Sequence, residues 1–222
     1  MSTLAAVVFD FDGIVLDSET PEFESHRRIY ERCGATLTSD EWCNQIGLWN
    51  EGDQRRWHTR LCRLSAHAPD WVAFDAEQRR IFQALVPADP MRGIRALLEA
   101  LEAAEVPAAI ASTSPARWVV SAAERIGVRP LIRTIVSGDD VARRKPAPDV
   151  YLEAVRRMDA DPGLSIAVED SAPGIAAARA AGLKAVAIPH WLTERHDLSG
   201  ADLRVAHAGE LTLDVLEALI RT

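Results

Sequence analysis

Short apolar runs recur along this chain of 222 residues, and amphipathic segments separate them. The runs lie at 7–9, 108–111, 134–136, 165–168 and 185–188. Each run is too short for a helix and lacks the alternation of apolar and polar residues that marks a half-exposed strand. This pattern is typical of parallel strands that are buried on both faces of a sheet.

Proline marks the start of the amphipathic segments that follow the strands. After Pro90, apolar residues at 94, 97, 98 and 101 have the spacing of one helix face. Thr20, Asp89 and Ser114 each precede such a proline, and we expect their side chains to cap three helices. Strand and helix in alternation predict an α/β fold with a doubly wound, Rossmann-like parallel sheet.

The segment 18–87 departs from this alternation, because its pattern is helical and it has no strand-like run. It contains four of the six tryptophans, which are Trp42, Trp49, Trp57 and Trp71. We therefore predict that residues 1–17 and 88–222 form a Rossmann-like catalytic core. Residues 18–87 are predicted to form an inserted helical cap that sets substrate specificity.

Composition narrows the class of protein. A hydrophobic content of 48% with 26% charged residues is ordinary for a folded chain, and the three cysteines have no metal-ligand spacing. A net charge of −8 disfavours nucleic acid and anionic membranes as partners. No apolar run approaches the ~20 residues of a membrane span, and no export signal precedes the first strand, so we expect a cytoplasmic protein. The sequence does not predict the oligomeric state.

Chemically active side chains stand at the ends of several predicted strands. In chain order they are Asp10 and Asp12, Ser112, Lys145, and the pair Glu169 and Asp170. The carboxyl ends of parallel strands meet at one edge of a sheet. Two carboxylates ~4 Å apart repel by about 4 kcal/mol at an effective dielectric near 20, so a cation is needed there. An all-oxygen site suits Mg²⁺, and a lysine with a hydroxyl suits phosphate. The sequence therefore predicts a phosphoryl-transfer site.

Four stretches resemble the motifs of the haloacid dehalogenase superfamily, specifically its phosphatase and β-phosphoglucomutase-like branch with a helical cap. They read "DFDGIVLDSE", "ASTS", "KPAPDVY" and "VEDSAPGIAAARAAG", in the order and spacing of that family. The resemblance covers both ends of the chain. It implies a Rossmann-like fold, Mg²⁺ as cofactor and a small phosphorylated metabolite as substrate.

The resemblance also implies roles for individual residues. Asp10 would be the nucleophile that forms an aspartyl-phosphate. Asp12 would protonate the leaving oxygen and then deprotonate the attacking water. Asp10, Asp170 and the Asp12 backbone carbonyl would bind the metal, and Glu169 would act on it directly or through water.

Phosphate and substrate contacts are implied at further positions. Ser112 and the Thr113 N–H would bind the transferring phosphoryl oxygens, while Lys145 neutralises charge and steadies the nucleophile. Gly13 would let the chain turn away close to the phosphate, because it has no Cβ. Trp49 lies in a loop-like stretch of the cap and is a candidate substrate contact.

Other tryptophans and two histidines are expected to have purely structural roles. Trp42, Trp57 and Trp71 are expected to pack in the core of the cap. His190 and His196 follow the last long strand, and we expect them in an exposed loop.

Residues of the cap separate the branches of the superfamily. Phosphonoacetaldehyde cleavage uses a cap lysine, and 18–87 contains none. The dehalogenases lack an acid at the position of Asp12. The β-phosphoglucomutases have a cap histidine where this chain has Glu22, and their cap arginine would fall near Trp49 or Asn50. We therefore favour hydrolysis of a small phosphomonoester such as a sugar phosphate and keep the mutase as the alternative.

Two functions of another class are also compatible with parts of this pattern. A receiver-like signalling domain shares the acidic metal site, a phospho-accepting aspartate, a hydroxyl and a lysine. Receivers, however, are much shorter, have no inserted cap and lack an acid two residues after the acceptor. A catalytically silent binding module is the other reading, but every chemical position of the motifs is filled.

Overall fold

Six parallel strands form one sheet in the computed structural model, which describes residues 4–44, 46 and 55–222. The strands are β1 (Ala6–Phe9), β2 (Ala108–Ala111), β3 (Thr134–Val136), β4 (Ser165–Glu169), β5 (Lys184–Ala187) and β6 (Leu203–Arg204). Their order across the sheet is β3-β2-β1-β4-β5-β6. In the register of the central strand, Val7 of β1 lies opposite Ala108 on one side and Ile166 on the other. This order brings the ends of β1, β2 and β4 side by side.

Nine α-helices accompany the sheet in the described residues. They are α1 (Glu19–Arg32), α2 (Ser39–Cys43), α3 (Arg56–Leu64), α4 (Trp71–Leu85), α5 (Ile94–Ala103), α6 (Ala116–Arg125), α7 (Asp149–Met158), α8 (Ala172–Ala180) and α9 (Leu213–Ile220). Helices α1 to α5 lie between β1 and β2 in the chain, and α6 to α9 follow later strands. None of the helices in the described part of the chain combines the length and apolar character needed to cross a bilayer.

Helices cover both faces of the sheet, because successive strand residues point to opposite sides. Val7 and Phe9 of β1 pack in one cluster with residues of α5, α6 and α9, whereas Val8 packs with α7 and α8. The second face is largely alanine, as at Ala109 and Ala111 of β2. The strands β1, β2 and β4 are thus buried on both sides, and the predicted doubly wound α/β fold is confirmed.

Helices α1 to α4 contribute most of a third hydrophobic cluster. The indoles of Trp42 and Trp57 stack there with ring centroids 4.9 Å apart, and the Tyr30 hydroxyl donates to the Trp57 carbonyl at 2.6 Å. Trp42 and Trp57 are buried, as predicted, while Trp71 is only partly buried. The described residues of this segment form no strand. We keep the boundaries at 18 and 87 as a proposal.

Local details of the chain differ from the predictions. Strand β6 was not predicted, since two residues are too few to create a pattern. Three predicted helix caps are wrong, namely those at Thr20, Asp89 and Ser114. The helices begin instead after Ser18, Gly93 and Pro115, none of which makes a side-chain cap hydrogen bond. Gly93 has a φ of 87°, so a left-handed turn precedes α5 and moves its start beyond Pro90.

Candidate active site

The chain enters the site through β1, whose four residues are fully buried. The next residue, Asp10, donates its N–H to the Val168 carbonyl at 2.9 Å and so continues the pairing with β4. Gly13 then turns the chain with a φ of 84°, in the left-handed region that glycine adopts freely. A Cβ at Gly13 would lie 2.7 Å from Asp170 Oδ2. The glycine makes room for this carboxylate, and its contact with a phosphate stays a prediction.

Lys145 is buried between two carboxylates. Its Nζ donates to Asp10 Oδ1 at 2.6 Å, to Glu169 Oε1 at 2.7 Å and to the Ala111 carbonyl at 2.9 Å. Burial works against the charge on this ammonium, but Asp10 and Glu169 outweigh burial and raise the pKa of Lys145 above its usual value. The lysine therefore stays charged and fixes the position of the Asp10 carboxylate.

Both oxygens of the Glu169 carboxylate accept hydrogen bonds from the protein. Besides Lys145, its Oε1 accepts from the Tyr151 hydroxyl at 2.5 Å. Its Oε2 accepts from the Ser171 hydroxyl and from the Asp170 N–H, both at 3.2 Å. Since both oxygens already have protein donors, Glu169 is placed to support neighbouring groups more readily than to bind a ligand directly.

Three acidic residues at the strand ends could hold a metal ion. Asp10, Glu169 and Asp170 each offer a carboxylate oxygen, and these atoms lie within 4.8 Å of one another. Burial raises the pKa of Asp10 to about 7, although Lys145 opposes the shift. Burial, reinforced by the charges of Asp10 and Glu169, also raises the pKa of Asp170 well above its usual value. One ammonium does not balance three carboxylates, so this oxygen-only donor set fits a divalent cation.

Asp12 accepts hydrogen bonds on both carboxylate oxygens. Oδ1 accepts from the Ser18 hydroxyl at 2.5 Å and from the Trp118 indole N–H at 2.9 Å. Oδ2 accepts from the Ser114 hydroxyl at 2.6 Å and from the Ser112 hydroxyl at 3.4 Å. The donors come from α1's N-cap, the loop after β2 and helix α6. Asp12 is therefore held at the meeting point of three segments.

Ser112 and Thr113 follow β2 directly. Ser112 is buried, and its N–H donates to the Val136 carbonyl at 2.9 Å. Its hydroxyl accepts from the Ser114 N–H at 3.0 Å, which tightens the turn into α6. Thr113 lines the cavity described next.

A cavity of about 460 Å³ opens above the strand ends. Its floor is formed by Asp10, Asp12, Lys145 and Asp170. Its roof is formed by cap residues, among them Glu22, Trp71, Phe74, Gln78 and Phe82. The last four follow one face of α4, because they are spaced three or four residues apart. The cavity therefore has an ionic floor, and its roof combines aromatic rings with charged side chains, among them Arg56 and Arg79.

Glu22 is one of the polar groups of the roof. Gln78 Nε2 donates to Glu22 Oε2 at 2.8 Å and to Ser25 Oγ at 3.1 Å. The Glu22 side chain is 43% exposed, because it faces the cavity. Even so, loss of hydration among the surrounding groups raises the pKa of Glu22 to about 7, although the hydrogen bond from Gln78 acts to lower it. Next to it, burial lowers the pKa of His26 to about 4.

The loop after β5 docks on the start of α1. His190 is buried, and its Nε2 lies 3.2 Å from Asp17 Oδ1. Trp191 Nε1 donates to the Thr20 hydroxyl at 2.8 Å. Our expectation of an exposed loop is wrong for His190, because the Asp17 carboxylate supplies the partner that lets the imidazole be buried.

Most residues predicted for the site meet at this edge of the sheet. They are Asp10, Asp12, Gly13, Ser112, Thr113, Lys145, Glu169 and Asp170. Trp49 lies outside the described residues. Sequence reasoning missed Ser18, Ser114, Trp118 and Tyr151. Ser18, Ser114 and Tyr151 stand within the quoted motifs, so a signal existed, whereas Trp118 carries none.

The fold and site together define an α/β enzyme with a carboxylate and lysine centre at the edge of its sheet. Residues 7–188 match the family model described as haloacid dehalogenase-like hydrolase, and the chain belongs to this family. The resemblance found in the motifs is thereby confirmed.

Relatives and solved structures extend over nearly the whole chain. "Phosphorylated carbohydrates phosphatase" of Thermotoga maritima is 28% identical over 222 residues, 98% of this chain and 100% of the relative. "Beta-phosphoglucomutase" of Bacillus subtilis is 26% identical over 223 residues, 96% of this chain and 94% of the relative. The crystal structure of CbbY from Rhodobacter sphaeroides in complex with phosphate has a TM-score of 0.74 and 27% identity. The match covers 94% of this chain and 96% of the CbbY chain.

Proposed function

We propose that this protein is a magnesium-dependent phosphatase that hydrolyses a small phosphate monoester, with sugar phosphates as the substrate class. The observation that carries the proposal is the Asp10 carboxylate, which is buried, paired with Lys145 and open to the cavity. A carboxylate held in this way is a suitable nucleophile towards phosphorus. The Thermotoga maritima relative, by its name, acts on phosphorylated carbohydrates, which supports the choice of substrate class.

The proposed reaction has two steps. In the first, an Asp10 oxygen attacks phosphorus, the ester P–O bond breaks, and the leaving oxygen takes a proton from Asp12. This step gives the free alcohol and an aspartyl-phosphate. In the second, water attacks phosphorus and gives a proton to Asp12, the bond to Asp10 breaks, and inorganic phosphate is released.

The remaining residues support these two steps. Lys145 holds the Asp10 carboxylate and offsets charge that builds up during attack. A bound Mg²⁺ would supply Lewis-acid stabilisation of the phosphoryl oxygens. Asp10, Asp170 and the Asp12 backbone carbonyl would hold it, and Glu169 would support them as an outer partner, because its oxygens already accept from protein donors. Ser112 and Thr113 would contact the phosphoryl group.

A phosphosugar mutase is the second candidate, because a β-phosphoglucomutase is among the relatives. A mutase must bind its phosphosugar through two transfers. Glu22 stands where the mutases have a cap histidine, and a carboxylate there suits hydroxyl groups and disfavours a second phosphate. The positions near Trp49 and Asn50, where a cap arginine would fall, lie outside the described residues. These differences favour hydrolysis.

Phosphate release from p-nitrophenyl phosphate and from a panel of aldose and ketose phosphates tests the proposal. We expect release with Mg²⁺ and none with excess EDTA. Asp10→Asn should lower turnover by about 10⁴-fold or more, because an amide cannot attack phosphorus. Asp214→Asn is the control, since this carboxylate is exposed on α9.

Two outcomes would contradict the assignment. Phosphate release that persists in Asp10→Asn would remove the nucleophile. Isomerisation of an aldose phosphate without phosphate release would identify a mutase instead.

A further inference from the structure

Trp118 lies in the first turn of α6 and contacts both the core and the cap. Its indole N–H donates to Asp12 Oδ1 at 2.9 Å. Its ring packs edge-on against Phe11, with centroids 6.4 Å apart, and against Phe82 of the cap at 5.3 Å. It also lines the cavity. The residue has no part in the four family motifs, so its position next to Asp12 needs its own explanation.

The indole differs in kind from the other donors to Asp12. Ser18, Ser112 and Ser114 carry hydroxyl groups, which rotate and can either donate or accept. An indole N–H only donates, and two aromatic contacts fix the direction in which this one points. Among the described donors to Asp12, Trp118 alone therefore sets a fixed requirement on the oxygen that it faces.

This requirement favours one oxygen of Asp12 as the carrier of a proton. Oδ1 accepts from the Trp118 N–H and from the Ser18 hydroxyl. A proton on Oδ1 would weaken the bond from the N–H, which cannot reverse, because the hydroxyl oxygen of a carboxylic acid is a poorer acceptor than its carbonyl oxygen. Oδ2 faces the hydroxyls of Ser114 and Ser112, which can reverse their role and accept. The protonated acid is thus favoured on Oδ2.

We propose that Trp118 is a positioning residue that holds Asp12 through Oδ1 and so directs proton transfer to and from Oδ2. The proposal rests on the phosphatase function proposed above, in which Asp12 protonates the leaving oxygen. Removal of the indole N–H would let the carboxyl rotate and place its proton on either oxygen. Proton transfer from Asp12 to the leaving oxygen would then become slower.

Two esters with different leaving groups separate this role from simple packing. Nitrophenolate leaves as an anion without a proton, whereas the alkoxide of glycerol 2-phosphate needs one. Trp118→Phe keeps an aromatic ring between Phe11 and Phe82 but has no N–H. The quantity to compare is kcat/KM, because it reports the steps up to formation of the phospho-enzyme.

With Mg²⁺ present, we expect Trp118→Phe to lower kcat/KM for glycerol 2-phosphate by about 10-fold to 100-fold. This range is part of the 10²–10⁴ that acid–base catalysis commonly contributes. For p-nitrophenyl phosphate the loss should stay within about 3-fold, since that step needs little acid. Phe82→Leu is the matched control: it removes a ring contact, keeps the N–H and should change both esters by a similar factor.

A double mutant adds a second readout. In an Asp12→Asn background, which has no acid to position, Trp118→Phe should have no additional effect on glycerol 2-phosphate. If Trp118→Phe does not fold, as judged by circular dichroism, Trp118→Leu removes the same donor and takes its place.

The outcomes are distinguishable. Equal losses for both esters, or an undiminished loss in the Asp12→Asn background, would refute the positioning role and leave the phosphatase intact. An unchanged rate for glycerol 2-phosphate would refute it as well. If the wild-type protein releases phosphate from neither ester, the proposed function itself fails.

Discussion

The floor and the roof of the cavity are built on opposite principles. In the floor, Asp10, Lys145 and Asp170 are at least nine-tenths buried. Lys145 holds the Asp10 carboxylate through a 2.6 Å ion pair, and the adjacent strands fix the backbone on either side. In the roof, Trp71 and Phe82 of α4 remain partly exposed and face open space.

This difference shows which groups must be held in fixed positions. Charges that take part in a reaction must be held before substrate arrives, and a central parallel strand with paired neighbours does this well. A roof that selects a substrate needs area and a few polar groups, and one helix face can supply both. The floor thus needs fixed positions, whereas the roof needs only a surface that fits the substrate.

The largest effect is expected from the floor. Lys145→Met removes the ammonium with little change of length and leaves Asp10 and Glu169 facing each other without a cation. We expect activity to fall by about 10²-fold to 10³-fold, as for the loss of one preorganised donor. Loss of one partner of a buried ion pair should also cost about 3–5 kcal/mol of unfolding free energy in metal-free protein. Steady-state kinetics and urea denaturation measure the two quantities.

The chain supplies its own control, because Lys184 is the only other lysine. Lys184 is partly exposed and lies 3.7 Å from Asp202, so Lys184→Met should change stability by less than about 1 kcal/mol and leave activity unaltered. Equal effects of the two variants would mean that the buried ion pair has no special role in the floor.

An intermediate effect is expected from the roof. Trp71→Leu removes one ring of the α4 face. Aromatic contacts of this kind are worth about 0.5–1.5 kcal/mol, which is roughly 2-fold to 10-fold in binding. We expect KM for the preferred sugar phosphate to rise by this factor while kcat changes less than about 2-fold, because the roof binds ground state and transition state alike.

Trp191→Leu is the comparison for this variant, since Trp191 is 48% exposed and is not among the residues that line the cavity. Its KM should match that of the wild type. A loss of kcat without a change of KM in Trp71→Leu would show that the roof takes part in the chemical step.

The smallest effect concerns the pH dependence of stability. Loss of hydration among the surrounding groups raises the pKa of Glu22 from 4.5 to about 7, so the folded protein binds more protons than the unfolded chain between these values. Stability contributed by this group is therefore present below pH 4.5 and lost as pH rises through 7. Relative to wild type, Glu22→Gln should become progressively more stable from pH 5 to pH 8 in thermal melts.

Glu24→Gln serves as the matched control on the same helix. Hydrogen bonds from Arg27, and then from Arg28, lower the pKa of Glu24 to about 2 in spite of partial burial. Its contribution is lost only as pH falls from 4.5 towards 2, so the difference from wild type should be constant between pH 5 and pH 8. A flat difference for Glu22→Gln as well would contradict the raised pKa of Glu22.

Much of the floor was predictable from the sequence, because Asp10, Asp12 and the pair Glu169–Asp170 follow apolar runs directly. Strand ends in a parallel sheet converge, so position in the sequence translates into position in space. Lys145 was predictable as one of only two lysines beside a proline-rich turn.

The supporting contacts could not be predicted in the same way. Trp118 reaches Asp12 only because α6 passes beside the turn after β1, and no local pattern encodes that crossing. His190 looked like a loop residue, and its burial depends on Asp17, which lies 173 positions earlier. The predicted cap at Ser114 is wrong for a related reason, because the Ser114 hydroxyl donates to Asp12 and does not cap α6.

The place of β1 in the middle of the sheet has a consequence for biosynthesis. This strand leaves the ribosome before either of its neighbours, β2 and β4, and the second of them ends at Glu169. Until both have been made, its unpaired edges are open to association with other nascent chains. Asp10, at the end of β1, is therefore synthesised before the two strands that flank it and is enclosed only once both have been made.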